Sequence, residues 1–329
     1  MRVLFWGTPG FGLPSLEAMR AAGHEVVGVV TNPDRPSGRG RAGRGRALRA
    51  SPVKEWALAA EVPVLQPVRP GEAAFLDAAR RLAPDVSVVV AYGRILPREA
   101  LDLPPLGSFN VHASLLPALR GAAPINWAII CGHAESGVSI QRMVAALDAG
   151  PVLGRTRIPI HPVMTAGELY EAASAAAGAR LVTVLADLAA GRAVETPQDE
   201  TRVTWAPKLD REAARIDWSR SAAELDRWLR GCDPWPAAWT TLRGRSLQCF
   251  EPTVEPDAPG AGDPATTAGA PAPGTVIEAH PVRGLRVATG DGVLRVGAVK
   301  PAGRRRMSAA AWVRGVARGV ADLKEVRFD

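Results

Sequence analysis

Over the first 190 residues, apolar runs alternate with stretches of helical spacing. RVLFW (2–6) is apolar after Arg2, ends in GTPGFG and passes into a helical pattern over 13–22. A second apolar run covers 25–31, and helix signals follow at 52–60 and 73–82. DVSVVVAYG (85–93) is apolar on both faces, GVSIQRM (137–143) predicts a further strand, and 166–188 predicts a long amphipathic helix. Strands that are apolar on both faces and separated by helices imply a parallel sheet covered on each side. The predicted architecture of 1–190 is therefore α/β, a Rossmann-like, mostly parallel sheet with helices on both faces.

Near residue 191 the texture changes. TPQDETRVTWAPK is polar and predicts a linker over 191–208. Beyond it, 221–232 is helical, and short strand patterns follow at 239–242, 247–254, 274–278, 285–288 and 293–299. GDG at 290–292 is a hairpin signal. Such strands predict a small antiparallel barrel over 209–329. Residues 256–273 hold five prolines, three glycines and six alanines, which cannot bury a core, so a mobile loop is expected there.

The stretch GSFNVHASLLPALRGAAPINW (107–127) is the one place where a polar pair, a sharp turn and a helix start coincide. Phe109, Val111 and Ala113 alternate with Asn110 and His112, so both polar side chains leave a strand on one face. Burying them without partners would cost a few kcal/mol, so either the fold satisfies them or they meet a ligand. A lone histidine in such a strand is more often a satisfied core residue. Ligands of parallel sheets lie beyond the carboxyl ends of the strands, where Tyr92, Gly93 and the end of NVHAS should meet.

Several chemistries are disfavoured. Pro9 interrupts the G-x-G-x-x-G spacing in GTPGFG, which removes the pyrophosphate cradle of a nicotinamide dehydrogenase. Ser114 lacks the G-x-S-x-G elbow of a nucleophilic serine. His24, His133, His161 and His280 are scattered among turn signals and read as surface residues, so no metal is expected. Asp148, before Ala149-Gly150, reads by itself as a turn residue.

At 329 residues the chain exceeds one core, and two domains are expected. Three cysteines form no framework, no signal-like apolar segment follows Met1, and no stretch approaches a membrane span. The expectation is a cytoplasmic monomer without membrane association. The net charge of +7 is concentrated: six arginines and no acid lie between Arg35 and Arg49. That loop is either solvated or a site for an anionic partner, with RNA the natural candidate. A second basic cluster, Lys300 with Arg304 to Arg306, accompanies the predicted barrel.

Asn110, His112, SLLPALRG (114–121) and MVAALDAG (143–150) together resemble the folate-dependent formyltransferase family, most nearly its branch acting on methionyl-tRNA. The resemblance extends to GTPGF, NPDRPSGRG, SPVK, VVVAYGRILP, RGAAPINWAI, QDE (198–200), ARIDWSRSA (214–222) and DPWPAAW (233–239). Ala118 and Leu119 depart from the basic and aromatic residues common in the family's turn, and Ala145 to Leu147 from its usual glycine-leucine approach to the aspartate.

The resemblance implies an OB-like C-terminal barrel and transfer of a formyl group from 10-formyltetrahydrofolate to the amino group of initiator methionyl-tRNA. Asn110 would face the developing oxyanion, His112 would handle a proton, and Asp148 would orient and stabilise the imidazole. The folate would lie against Tyr92, Gly93 and Ile95, in a pocket shaped by Ser114, Leu115, Leu116 and Pro117. Arg39 is the first tRNA contact implied, followed by Arg41, Arg44, Arg46, Arg304 and Arg305. Competing readings are formylation of a small amine such as glycinamide ribonucleotide or an amino sugar, hydrolysis of the formyl donor, and noncatalytic RNA binding.

Overall fold

The computed structural model describes residues 1–36, 48–255, 271–317 and 327–328. Arg39, Arg41, Arg44 and Arg46 lie outside the described residues, as does most of the proline- and alanine-rich stretch.

In chain order the elements are β1 (Arg2–Gly7), α1 (Leu13–Ala21), β2 (Glu25–Val30), β3 (Arg35–Pro36), β4 (Leu48–Arg49), α2 (Pro52–Ala59), β5 (Val64–Leu65), α3 (Ala73–Arg81), β6 (Val86–Val90), α4 (Arg98–Leu101), β7 (Ser108–His112), β8 (Arg120–Gly121), α5 (Pro124–Ile130), β9 (Glu135–Arg142), β10 (Val152–Pro159), α6 (Ala166–Ala189) and β11 (Trp205–Ala206). Then come α7 (Ala222–Cys232), β12 (Trp239–Leu242), β13 (Arg245–Glu255), β14 (Val276–His280), β15 (Gly284–Ala288), β16 (Val293–Pro301), β17 (Met307–Ser308) and α8 (Ala309–Ala317). Two compact units result: 1–124, 135–159 and 170–207 form the first, and 125–134, 160–169 and 208–329 the second. Residues 125–134 and 160–169 lie within the predicted N-terminal domain in sequence but cluster with the second unit.

The first unit is built on a seven-stranded sheet in the order β10-β9-β7-β6-β1-β2-β5. From β7 to β5 the strands are parallel, as their two-sided apolar runs require, whereas β9 and β10 run antiparallel. Val3, Leu4, Phe5, Trp6, Val86, Val88 and Val90 are fully buried, so both faces of the sheet centre are covered. Trp6 lies edge-on to Phe75 and Tyr92, with centroids 5.4 and 5.3 Å away, and its indole N–H donates to Ser87 Oγ at 3.1 Å.

Two expectations are corrected here. The 24-residue α6 is long and apolar enough, by length and composition, to cross a membrane. Its buried stripe of Ala173, Ala177, Leu181 and Leu185 recurs every fourth residue, and Ser174 Oγ donates to the Phe11 carbonyl at 2.9 Å, as in a packed core helix. Of the expected linker 191–208, residues 191–207 are integrated into the first unit. Thr196 exchanges backbone hydrogen bonds with Val152 at 3.0 and 2.8 Å, and β11 pairs in parallel with β8. Polarity misleads there because these side chains bond to other protein groups.

The second unit carries an antiparallel sheet in the order β12-β13-β16-β15-β14, with β17 added to β16, which forms a half-barrel. Each predicted strand is present, and the GDG turn joins β15 to β16. Ser221 and Glu224 form a reciprocal capping box at the start of α7.

Candidate active site at the carboxyl end of β7

Asn110 and His112 share one face of β7, between β6 and β9. Asn110 is half-buried and His112 buried. On antiparallel β9, Gln141 lies opposite Asn110, so their side chains emerge on the same face. Beyond β9 the chain makes an excursion and returns, Arg142 N–H bonding the Pro151 carbonyl at 2.9 Å. That excursion carries Asp148 back over Asn110 and His112. The return is tight: a Cβ on Gly150 would lie 1.7 Å from the Arg142 carbonyl oxygen, so only glycine fits.

The Asp148 carboxylate is nine-tenths buried and well supplied with donors. Oδ2 accepts the Gly121 backbone N–H at 2.9 Å, and Oδ1 accepts the Gln141 amide at 3.0 Å and the Asn110 amide at a long 3.5 Å. Gly121 has φ +120°, and a Cβ there would come within 2.7 Å of the Ala206 carbonyl oxygen. Its glycine is required both for the turn and for the close approach of β11 to β8. His112 Nδ1 lies 3.7 Å from Asp148 Oδ2, while Nε2 bonds the Leu119 carbonyl at 2.9 Å. A carbonyl only accepts, so Nε2 carries a proton and Nδ1 faces the carboxylate. The structure thus brings Asn110, His112 and Asp148 together, with the ring largely enclosed.

The turn after β7 is held from several sides. Ser114 Oγ donates to the Ala118 carbonyl at 2.6 Å, and Ser139 Oγ donates to the Ser114 carbonyl at 2.7 Å. Leu119 takes a left-handed φ of 60°, and its N–H bonds Thr204 Oγ1 at 2.8 Å. The residues expected to hold a folate divide into two groups. Gly93 and Ile95 are exposed, Ile95 by 83%, and Leu115 and Pro117 are half-buried. Tyr92, Ser114 and Leu116 turn inward, and burial raises the Tyr92 phenol above its ordinary pKa.

Sequence reasoning missed Arg120, Gln141, Gln198, Glu200 and Thr204 as members of this site. Arg120 is almost fully buried. It donates to Gln198 Oε1 at 3.1 and 2.9 Å and to both Glu200 carboxylate oxygens at 3.1 and 2.7 Å. The Arg120 guanidinium holds the Glu200 carboxyl below the usual glutamate range through those hydrogen bonds. A glutamine inside the apolar run of β9, and QDE beside a strand of the first unit, were the available signals.

In the second unit, Arg304 and Arg305 are exposed and make no ion pair among the described residues, whereas Arg306 bonds Asp233 at 3.1 Å and Glu251 at 3.0 Å. Arg211, Ser246, Gln248, Lys300 and Gly303 line a recess on this unit. Among the described residues no group of three His, Cys, Asp or Glu side chains is placed to hold a metal ion.

Fold and site together define an α/β enzyme with an amide, an imidazole and a carboxylate gathered at a strand end, a set suited to acyl-group chemistry. The formyl transferase profile matches residues 1–185 and the formyl transferase C-terminal-domain profile residues 208–317; the chain belongs to the formyl transferase family. Among solved structures, HypX from Aquifex aeolicus in complex with tetrahydrofolic acid matches with a TM-score of 0.65 at 19% identity, over 97% of this chain and 48% of that one. The chain thus spans about half the length of HypX. An N-formyltransferase from Helicobacter canadensis, in complex with folinic acid and dTDP-3-aminofucose, matches with a TM-score of 0.65 at 14% identity, over 93% of this chain and 100% of that one. The sugar 3N-formyl transferase WlaRD gives 0.64 and 14%, over 93% and 99%.

Proposed function

We propose that this chain transfers a formyl group from 10-formyltetrahydrofolate to the amino group of initiator methionyl-tRNA. The observation that carries the chemistry is the convergence of Asn110, His112 and Asp148 at the end of β7. The amine nitrogen attacks the formyl carbon and the carbonyl electrons move onto oxygen. Collapse then breaks the bond to the folate nitrogen, which leaves with a proton as the amine gives one up. Asn110 suits the oxyanion, since among the described residues its amide makes only the long contact to Asp148 and is half-buried. His112 and Asp148 suit the proton movements. For the donor, exposed Ile95 offers an apolar shelf, and among the described residues, chain neighbours aside, none lies within 4 Å of a Cβ built on Gly93.

The tRNA as acceptor is supported by the arginine-rich stretch 35–49, by the residues resembling the methionyl-tRNA branch, and by the exposed charge of Arg304 and Arg305, which have no ion pair among the described residues. A second reading, formylation of a nucleotide-linked amino sugar, is supported by the likeness to the Helicobacter canadensis and WlaRD structures over nearly their whole length. The test is to supply 10-formyltetrahydrofolate with initiator methionyl-tRNA, a dTDP-3-amino sugar, glycinamide ribonucleotide or no acceptor. Formylmethionine from the tRNA alone is expected. Formylated sugar or ribonucleotide without formylmethionine would replace the acceptor, and release of formate without any acceptor would make the chain a hydrolase.

A further inference from the structure

Behind the Asp148 carboxylate runs a chain of polar contacts that the proposed reaction does not use. Asp148 is a non-glycine residue in the left-handed region, at φ 50°. Most L residues avoid this conformation; aspartate is among the few that enter it readily. From the segment beyond α6, the single amide nitrogen of Gln198 donates to the Asp148 carbonyl at 2.8 Å, to the Gly150 carbonyl at 2.7 Å and, at a long 3.4 Å, to Gln141 Oε1. These carbonyls bracket Ala149, so one side chain fixes the main chain on both sides of it.

The orientation of that amide is determined as well. Arg120 can only donate, so the atom it meets at 3.1 and 2.9 Å must be the Gln198 oxygen, which leaves the nitrogen for the two carbonyls. Arg120 is 4% exposed, and its charge is compensated by Glu200, whose own side chain is 69% exposed. The contacts therefore lead from a solvent-facing carboxylate through a buried guanidinium and an amide to the backbone of Asp148.

We infer that Gln198 is a positioning residue, keeping the Asp148 carboxylate in register with His112 through the main chain of the Asp148 turn, with Arg120 and Glu200 fixing Gln198 in turn. This rests on the role proposed above for Asp148. Gln141 grips the carboxylate directly from β9, and its amide oxygen accepts a long contact from the Gln198 nitrogen at 3.4 Å, a weaker second route from Gln198 to Asp148.

Two substitutions isolate the effect. Gln198→Met removes both donors and the acceptor at similar volume. Gln198→Glu keeps the contact to Arg120 but loses both N–H donors, so it carries the test if the methionine variant folds poorly. Displaced catalytic groups commonly cost about a hundredfold in rate. Each variant should therefore lose turnover by about that factor, with methionyl-tRNA as acceptor, while KM for the folate stays within about twofold. The ¹⁵N resonance of His112 Nδ1 should shift as the carboxylate moves. Added to Asp148→Asn, Gln198→Met should cost no more than about a further twofold, because residues acting as a unit are not additive. Near-normal turnover of both Gln198 variants beside an inactive Asp148→Asn would overturn the inference, as would a Gln198→Met loss undiminished in the Asp148→Asn background. If Asp148→Asn itself turns over normally, the proposed role of Asp148 fails separately. The resonance then decides: a shift still supports positioning by Gln198, and an unmoved His112 signal removes it.

Discussion

Nδ1 of His112 lies 3.7 Å from Oδ2 of Asp148, and the other ring nitrogen is committed to the Leu119 carbonyl at 2.9 Å. Because Nε2 must carry a proton, ring and carboxylate attract strongly only while Nδ1 is protonated too. In the proposed reaction, Asp148 would therefore support the ring once it has accepted a proton.

Asp148→Asn keeps an oxygen for the Gly121 N–H but removes the charge. General acid–base assistance is typically worth a factor of 10²–10⁴, so kcat should fall by at least about a hundredfold. The variant should remain folded, since the backbone contacts of Gln198 to Asp148 and Gly150 do not involve the carboxylate. Single-turnover formyl transfer and circular dichroism on one sample check both parts. Wild-type turnover would remove Asp148 from the mechanism.

Gly150 tests the loop that delivers Asp148. An alanine Cβ would lie 1.7 Å from the Arg142 carbonyl oxygen, a backbone atom that cannot rotate away. Gly150→Ala should therefore destabilise the protein by about 3 kcal/mol, at the upper end of ordinary single substitutions. Urea unfolding of the purified variant gives the value, and a change below about 0.5 kcal/mol would show that the excursion between β9 and β10 yields easily.

The contrast between Asn110 and Gln198 shows what the chain discloses by itself. Asn110 and His112 stand out because period-two alternation puts both on one strand face among apolar neighbours, so the position of β7 in the sheet was enough to expose them. The antiparallel course of β9 was not visible, since the alternation of Val138 and Ile140 with Gly137, Ser139 and Gln141 reads the same whichever way the strand runs. Gln198 lies in a polar stretch whose side chains bond to protein groups far away in sequence, including Asp148 fifty positions earlier. Polarity could not distinguish that from solvation. Residues 125–134 and 160–169 joined the second unit for a similar reason. Asn126 donates to the Gly231 carbonyl at 2.7 Å, a long-range pairing without a periodic signature.

Cysteine reactivity should follow burial. Cys131 is exposed, whereas burial pushes the thiols of Cys232 and Cys249 up to about 12. Only the thiolate is alkylated, and at pH 8 a thiol of that pKa ionises to roughly one part in ten thousand. Native protein should take up one iodoacetamide per chain, slowly because partial burial also raises the Cys131 thiol. Denatured protein should take up three, one for each cysteine in the sequence. Mass spectrometry after timed alkylation decides, and early labelling of Cys249 would mean that the sheet of the second unit opens readily.

The Arg120–Glu200 pair predicts a specific acid response. Hydrogen bonds from Arg120 hold the Glu200 carboxyl below its unfolded value of about 4.3, with desolvation and, less, neighbouring Asp199 opposing. A group depressed in the folded state contributes stability that is fully present above the unfolded pKa and is lost as pH falls through the folded one. Protonating Glu200 also removes the carboxylate that compensates the buried Arg120 charge. Stability should therefore fall from about pH 5 downward. Other carboxyls depressed in the folded state, Asp34 and Asp217 among them, contribute in the same window. The readout is the difference between variants: Glu200→Gln, already lacking the charge, should be less stable than wild type at pH 7 and should lose less on going from pH 5 to pH 3. Parallel acid limbs for the two proteins in denaturant titrations would show that Glu200 contributes nothing through its charge, and the outer end of the contacts to Asp148 would then begin at Arg120.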